Sequence, residues 1–242
     1  MKIQVQGLSF GFSENLLFDN FNAEFESRES PLVILGPSGS GKTTLLRLMG
    51  GLLKPQSGEI VFDIPGFAAE AARIAFMFQE NRLLPWLTIL ENIKMPLEKD
   101  FGKEEAQKRA EHFLSLVSLE DKFNVYPTEI SGGQAQRVSM ARAFAWPAPA
   151  LFMDEPFQSL DIPLRLSLMD LALSLMQKEK RLLIIVSHDP REAIYLGRRI
   201  MILGKSGEGF VYDRSLDLSP EERSFGSSAA AELEREMICM LD

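Results

Sequence analysis

Gly36-Pro37-Ser38-Gly39-Ser40-Gly41-Lys42-Thr43 sets two glycines, with four residues between them, in front of a lysine and a threonine. Backbone N–H groups in such a loop converge on an oxyanion, and the glycines let the main chain approach it with no Cβ in the way. In this pattern Lys42 would reach the β- and γ-phosphates of a nucleotide and Thr43 would ligate Mg²⁺, with Thr44 beside them among the phosphate contacts. The bland alternative is a flexible glycine turn carrying an exposed lysine. Further along, Asp154 and Glu155 stand side by side after the apolar run Leu151-Phe152-Met153. One carboxylate at the end of a strand can hold Mg²⁺, directly or through water, and a second beside it can polarise a water. Without the glycine loop the pair would read as an ordinary acidic turn before Pro156. Ile130-Ser131-Gly132-Gly133-Gln134 precedes a helical run, so Ser131 and the N–H groups of Gly132 and Gly133 make either a plain helix cap or an anion site at a helix N-terminus.

These groups act together only if the chain folds so as to gather them. Leu32 to Leu35 is a short continuous apolar run, the mark of a strand buried on both faces, and it leads through the glycine loop into a helical pattern from Thr43 to Leu53. Leu151-Phe152-Met153 and Leu182 to Val186 have the same character, with a helix expected between them from about Pro163. Alternation at Ile3/Val5, then Leu16-Leu17-Phe18, then Phe21/Ala23/Phe25 suggest several short strands at the start, and 58–63 and 74–78 suggest two more. Lys103 to Val117 carries Ala106, Ala110, Phe113, Leu114 and Val117 on one helical face, within a helical insertion between Gln79 and Pro147. From Ser215 the tail is polar, then weakly helical over 229–240.

Composition narrows the classes. The chain has 242 residues and 27.2 kDa, with 45% hydrophobic and 25% charged residues, so a packed core is expected. A formal net charge of -8 disfavours general electrostatic binding to nucleic acid. The single cysteine, Cys239, with only His112 and His188, allows neither an internal disulfide nor a zinc cage. No signal peptide is expected, and no apolar run approaches the ~18 residues needed to span a bilayer.

Taken together, the phosphate loop, Gln79 after a strand, the Ser-Gly-Gly-Gln signature, Asp154-Glu155, Ser159-Leu160-Asp161 and His188 after Val186 resemble the ATP-binding cassette (ABC) ATPase family over residues 1 to about 205. The resemblance implies an α/β fold: a P-loop NTPase (RecA-like) core with an N-terminal antiparallel β-subdomain and an inserted α-helical subdomain. It implies one ABC ATPase domain over 1–242, with the core in 1–80 and 147–212, the helical subdomain in about 81–146 and a tail in 213–242. It also implies that two copies sandwich two ATP, the signature of one (Ser131, Gly132, Gly133, Gln134) meeting the γ-phosphate held by the other, with Asp161 crossing the interface. Phe12 would stack on adenine, although a core phenylalanine is the alternative. Gln79 would join Thr43 and Asp154 around Mg²⁺, and His188 would help Glu155 orient water, although a lone histidine there is more often structural. Ile130, Gln158 and Trp146-Pro147 depart from the family pattern, and Gln158 bears on the interface geometry.

Gln79 to Ile93, and the string Leu83-Leu84-Pro85-Trp86 within it, resembles importers of the nitrate, sulfonate, taurine and pyrimidine-precursor group. On that resemblance Leu83, Leu84 and Trp86 line a groove for a permease helix. Simple packing of Leu84 and Trp86 inside the helical insertion is the competing reading. The expected protein is a peripheral ATPase at the cytoplasmic face of the membrane. It would work as a homodimer on integral permease subunits, and indirectly with an extracytoplasmic solute-binding protein. An exporter ATPase, or a soluble cassette acting on ribosomes or DNA, is the alternative.

Overall fold

The computed structural model describes residues 1–12, 15–64, 74–158, 160–177 and 181–241. Every residue of β3 (Leu32–Leu35), β6 (Ala150–Asp154) and β7 (Leu182–Val186) is buried, so these strands must be covered on both faces. They form the middle of a six-stranded sheet with β5 (Ile74–Met77), β8 (Arg199–Leu203) and β9 (Phe210–Ser215), in the order β5-β6-β7-β3-β8-β9. The strands run parallel except β9, which returns antiparallel to β8. Period-2 alternation divides the core. Val33, Leu35, Leu151, Met153, Leu183 and Ile185 belong to one cluster, while Leu32, Ile34, Ala150, Phe152, Leu182 and Ile184 belong to the cluster on the opposite face.

A second sheet covers the latter face. β1 (Lys2–Gly11) pairs antiparallel with both β2 (Leu16–Glu26) and β4 (Ser57–Asp63). Ile3, Val5, Leu8 and Phe10 of β1 turn inward against Leu45 and Met49 of α1 (Lys42–Met49). Residues 16–26, which read as two short strands, form one strand, because pairing with β1 resumes at Phe21 beyond an irregularity at Asp19 and Asn20, where Asn20 has φ +48°. Helix α1 stops at Met49 rather than Leu53, where Gly50 caps it and Gly51 follows with φ +69°.

Helices cover the other face. α2 (Ile89–Leu116) opens on a capping box between Thr88 and Glu91 and breaks at Gly102, whose φ of 74° and ψ of 169° are not helical. The amphipathic stretch from Lys103 is therefore only its second half. The first half was hidden by Pro96, yet Ile89, Ile93 and Leu97 bury on one face. α2 lies against α3 (Gly132–Ala145), and α4 (Ile162–Gln177) and α5 (Pro190–Leu196) complete the layer. The short α6 (Pro220–Arg223) leads to α7 (Ser228–Leu241), whose Ala230, Leu233 and Met237 enter the main core, so the tail is docked. Among the described residues no helix is long and apolar enough to cross a membrane.

Candidate functional site

The phosphate loop joins the C-terminal end of β3 to the first turn of α1, the place where an open parallel sheet offers a crevice and a helix N-terminus together. Gly41 has φ +101°, a conformation that favours glycine, and a Cβ there would stand 2.9 Å from Leu17 Cδ2 and Phe18 Cζ of β2, so those side chains would have to shift to admit one. Ser38, Gly39, Gly41, Lys42, Thr43, Thr44, Glu155, Leu17 and Phe12 line one open cleft of about 360 Å³. Gly36, Pro37 and Ser40 are not among its lining; Ser40 is buried and donates its N–H to Pro37 O at 3.2 Å. Lys42 folds back on the loop, its Nζ donating to the carbonyls of Gly36 at 2.8 Å and Pro37 at 3.0 Å. Burial lowers the basicity of this ammonium, against the opposing pull of Glu155 and Asp154. Phe12 stands at the rim with its side chain 75% exposed and meets Phe10 edge to face. It is not a core phenylalanine.

Parallel pairing of β6 with β7 and of β7 with β3 brings the acid pair to the same sheet end as the loop. Thr43 Oγ1 donates to Asp154 Oδ1 at 2.7 Å across 111 positions of sequence. Asp154 is buried, and burial pushes its carboxyl above the usual range, against the bond from Thr43 and the field of Arg47. A buried carboxylate facing one hydroxyl and a neighbouring Glu is a donor set suited to a hard divalent cation. Glu155 continues past the strand end with its N–H donated to Val186 O, at φ +45°, a left-handed conformation that costs a non-glycine residue about 1–2 kcal/mol. That turn directs its carboxylate into the cleft, where Oε2 stands 3.4 Å from Nδ1 of the half-exposed His188.

The remaining expected residues lie apart from this cleft. Gln79 donates to Gln158 Oε1, so its carboxamide is held by Gln158 rather than by the Thr43–Asp154 pair. Ser131 is exposed and caps α3: its Oγ accepts from Gln134 N, and Gln134 Oε1 accepts from Ser131 N. Gly132 is equally open, whereas a Cβ on Gly133 would meet Leu164 Cδ2 of α4 at 2.5 Å. Asp161 is exposed and accepts from Leu164 N at 2.9 Å, next to the start of α4. Ser159 lies outside the described residues. Leu83 and Leu84 are half-buried, while Trp86 is 69% exposed, which removes the reading of its ring as core.

With this geometry in view, comparison with known proteins decides the family. The family described as "ABC transporter" matches residues 18–158. The chain belongs to the ABC transporter family. An aliphatic sulfonates import ATP-binding protein, SsuB, of Bacillus cereus is 34% identical to this ABC cassette, covering 98% of the chain and 95% of the relative. SsuB of Escherichia coli is 33% identical, covering 97% and 88%. A dimeric ATP-binding cassette solved in a post-hydrolysis state with ADP and Pi superimposes with a TM-score of 0.76 at 32% identity, covering 90% of this chain and all of the other. This ABC cassette is accordingly an ATP-binding, ATP-hydrolysing subunit with the P-loop NTPase architecture.

Several residues at the site gave no signal in sequence. Asn92 is buried and ties down the 84–88 segment: it accepts from Leu84 N at 2.7 Å and donates to the carbonyls of Leu84, Leu87 and Thr88. Arg142 donates to the carbonyls of Asn81 and Arg82. Arg165 bridges Leu160 O to Asp189 and Glu192, which follow His188 in sequence. Ser187 Oγ donates to Glu192 Oε2 at 2.6 Å, and burial pushes that carboxyl up. Asp189 feels burial in the same direction, but bonds from Arg191 and the charge of Arg165 outweigh it and hold the carboxyl low. The partners of Asn92 and Arg142 are backbone groups, and the carboxylates that Arg165 meets lie 24 and more positions away, so motif spacing does not reveal them.

Proposed function

We propose that this ABC ATPase energises a bacterial importer of small solutes of the nitrate, sulfonate, taurine or pyrimidine-precursor type. In that role two copies close on two Mg·ATP at the cytoplasmic face of the membrane and drive permease subunits that receive solute from an extracytoplasmic binding protein. The observation that carries the hydrolytic part is the meeting of the Thr43–Asp154 pair and the Glu155–His188 pair at one cleft beside the phosphate loop. Import is supported by the end-to-end likeness to proteins named for aliphatic sulfonate import. The exposed Trp86 supports a protein contact on the helical side.

Loop N–H groups hold the phosphates of ATP, Lys42 leaves the carbonyls of Gly36 and Pro37 for the β- and γ-phosphates, and Phe12 stacks on adenine. Thr43 and Asp154 would hold Mg²⁺, and Gln79, bonded here to Gln158, would be the third side chain to hold it. When bound, that ion neutralises charge on the β- and γ-oxygens. Glu155 accepts the proton of the attacking water as its oxygen bonds to the γ-phosphorus and ADP leaves, and His188 orients that water. Ser131 with the N–H groups of Gly132 and Gly133 meets the γ-phosphate held by the other copy, Gln134 holds Ser131 in its capping geometry, and Asp161 lies at the same interface.

Glu155→Gln tests this assignment, because it removes water activation and leaves the phosphate contacts. ATP binding should persist while hydrolysis falls roughly 10²- to 10⁴-fold. Full activity in the variant would remove Glu155 as base. In the source organism, uptake of a labelled alkanesulfonate should vanish on deletion and return with the wild-type chain but not with Glu155→Gln. Unchanged uptake after deletion would remove the sulfonate assignment.

A further inference from the structure

The segment from Phe78 to Thr88 links β5 to α2 and carries both Gln79 and Trp86. It is fastened at three places to three different parts of the fold. Gln158, beyond β6, holds Gln79. Asn92, on α2, holds the backbone of 84–88 with four hydrogen bonds. Between them Arg142, in the last turn of α3, donates Nη2 to Asn81 O at 2.7 Å and Nη1 to Arg82 O at 2.9 Å.

This middle fastening is chemically unusual. A guanidinium forks across two consecutive carbonyls, a geometry that an ammonium does not span. Burial lowers its basicity, and among the described residues no ion pair to a carboxylate accompanies it. The peptide it grips is also turned: Arg82 has φ +44° and lays its own guanidinium over the Phe78 ring at 4.0 Å. Arg142 is thus a partly buried cation whose described bonds go to the turn between Gln79 and Trp86. It sits on the helix capped by Ser131, about 16 Å along the axis.

We propose that Arg142 is a positioning residue that makes the 81–86 turn, with its exposed tryptophan, move with the signature helix. Closure of Ser131 on the nucleotide of a second copy then displaces the Trp86 surface directly. This inference rests on the reading of Ser131 given above, and the experiment separates the two.

The chain has two tryptophans, Trp86 and Trp146, so Trp146→Phe leaves Trp86 as the sole indole reporter. In a Glu155→Gln, Trp146→Phe parent, Mg·ATP should drive dimer formation and shift Trp86 emission and acrylamide quenching. Arg142→Met keeps the apolar volume and removes the fork. It should leave the dimer fraction and melting temperature unchanged, cut the ATP-driven Trp86 response at least threefold, and raise quenching without nucleotide. Arg142→Lys should give an intermediate response, and it decides the matter if the Met variant does not fold. A full Trp86 response in either folded variant overturns the proposal. So does a response that falls only in step with the dimer fraction, or a parent whose Trp86 signal ignores dimer formation. A parent that forms no dimer contradicts the Ser131 reading instead, and quenching without nucleotide then decides the Arg142 link, equal values in parent and Met variant overturning it.

Discussion

At the scale of single residues, the cleft is built from groups that are individually unfavourable in the folded chain. Asp154 is a buried carboxylate beside Glu155, and Glu155 itself holds a left-handed backbone conformation. Asp154→Asn should therefore raise the melting temperature of the nucleotide-free protein at pH 7 by about 2–4 °C, the shift that ~1 kcal/mol gives in a domain of this size. The sign with pH follows from the direction of its shift. A carboxyl raised in the folded state favours folding most when protonated, so this contribution is complete below the ordinary value of 3.8 and is lost as pH rises through the raised one. The advantage of Asp154→Asn should accordingly shrink as pH falls toward 4. Melting curves of both proteins between pH 4 and 7.5 check this, and an advantage that grows on acidification would contradict it. Mg·ATP should reverse the order at pH 7, because Asn is a poor ligand for a hard cation.

At the scale of elements, the helix-side segment 83–86 couples a fixed backbone to an exposed ring. Since Trp86 is 69% exposed, Trp86→Ala should move the melting temperature by no more than about 2 °C. If the ring anchors a permease helix, the same change should weaken permease pull-down about 30-fold, the equivalent of ~2 kcal/mol. A destabilised subunit with normal permease binding would discard that contact. Elements also show where sequence was legible. The buried strands β3, β6 and β7 and the loop-to-α1 junction are plain in the sequence because hydrophobic runs and glycine chemistry are local signals. The first half of α2 was hidden because Pro96 reads as a breaker, and the single length of β2 because Asp19 and Asn20 interrupt its apolar pattern. Arg142, Asn92 and Arg165 were hidden for a different reason: they bind main-chain carbonyls or residues far along the chain, and no spacing rule marks such partners. Gln158 stood out only as an odd residue, whereas the fold gives it Gln79 to hold.

At the scale of the whole molecule, the P-loop cleft and the signature do not meet within one copy. Ser131 and Gly132 are exposed at the start of α3, and neither lines the cleft that Lys42, Thr43 and Glu155 share. A helix N-terminus carrying a hydroxyl and free N–H groups suits an anion, and a second copy can supply one in a two-fold arrangement that satisfies both sites at once. The related cassette solved as a dimer with ADP and Pi is consistent with such an arrangement. The most direct test is the sedimentation of Glu155→Gln with Mg·ATP, with and without Ser131→Arg, alongside nucleotide binding by each. The expected result is an ATP-dependent dimer for Glu155→Gln alone and a monomer with near-normal ATP affinity once Ser131→Arg fills the opposing phosphate site. Equal dimer fractions in the two proteins, or no dimer in either, would contradict a site completed by two copies.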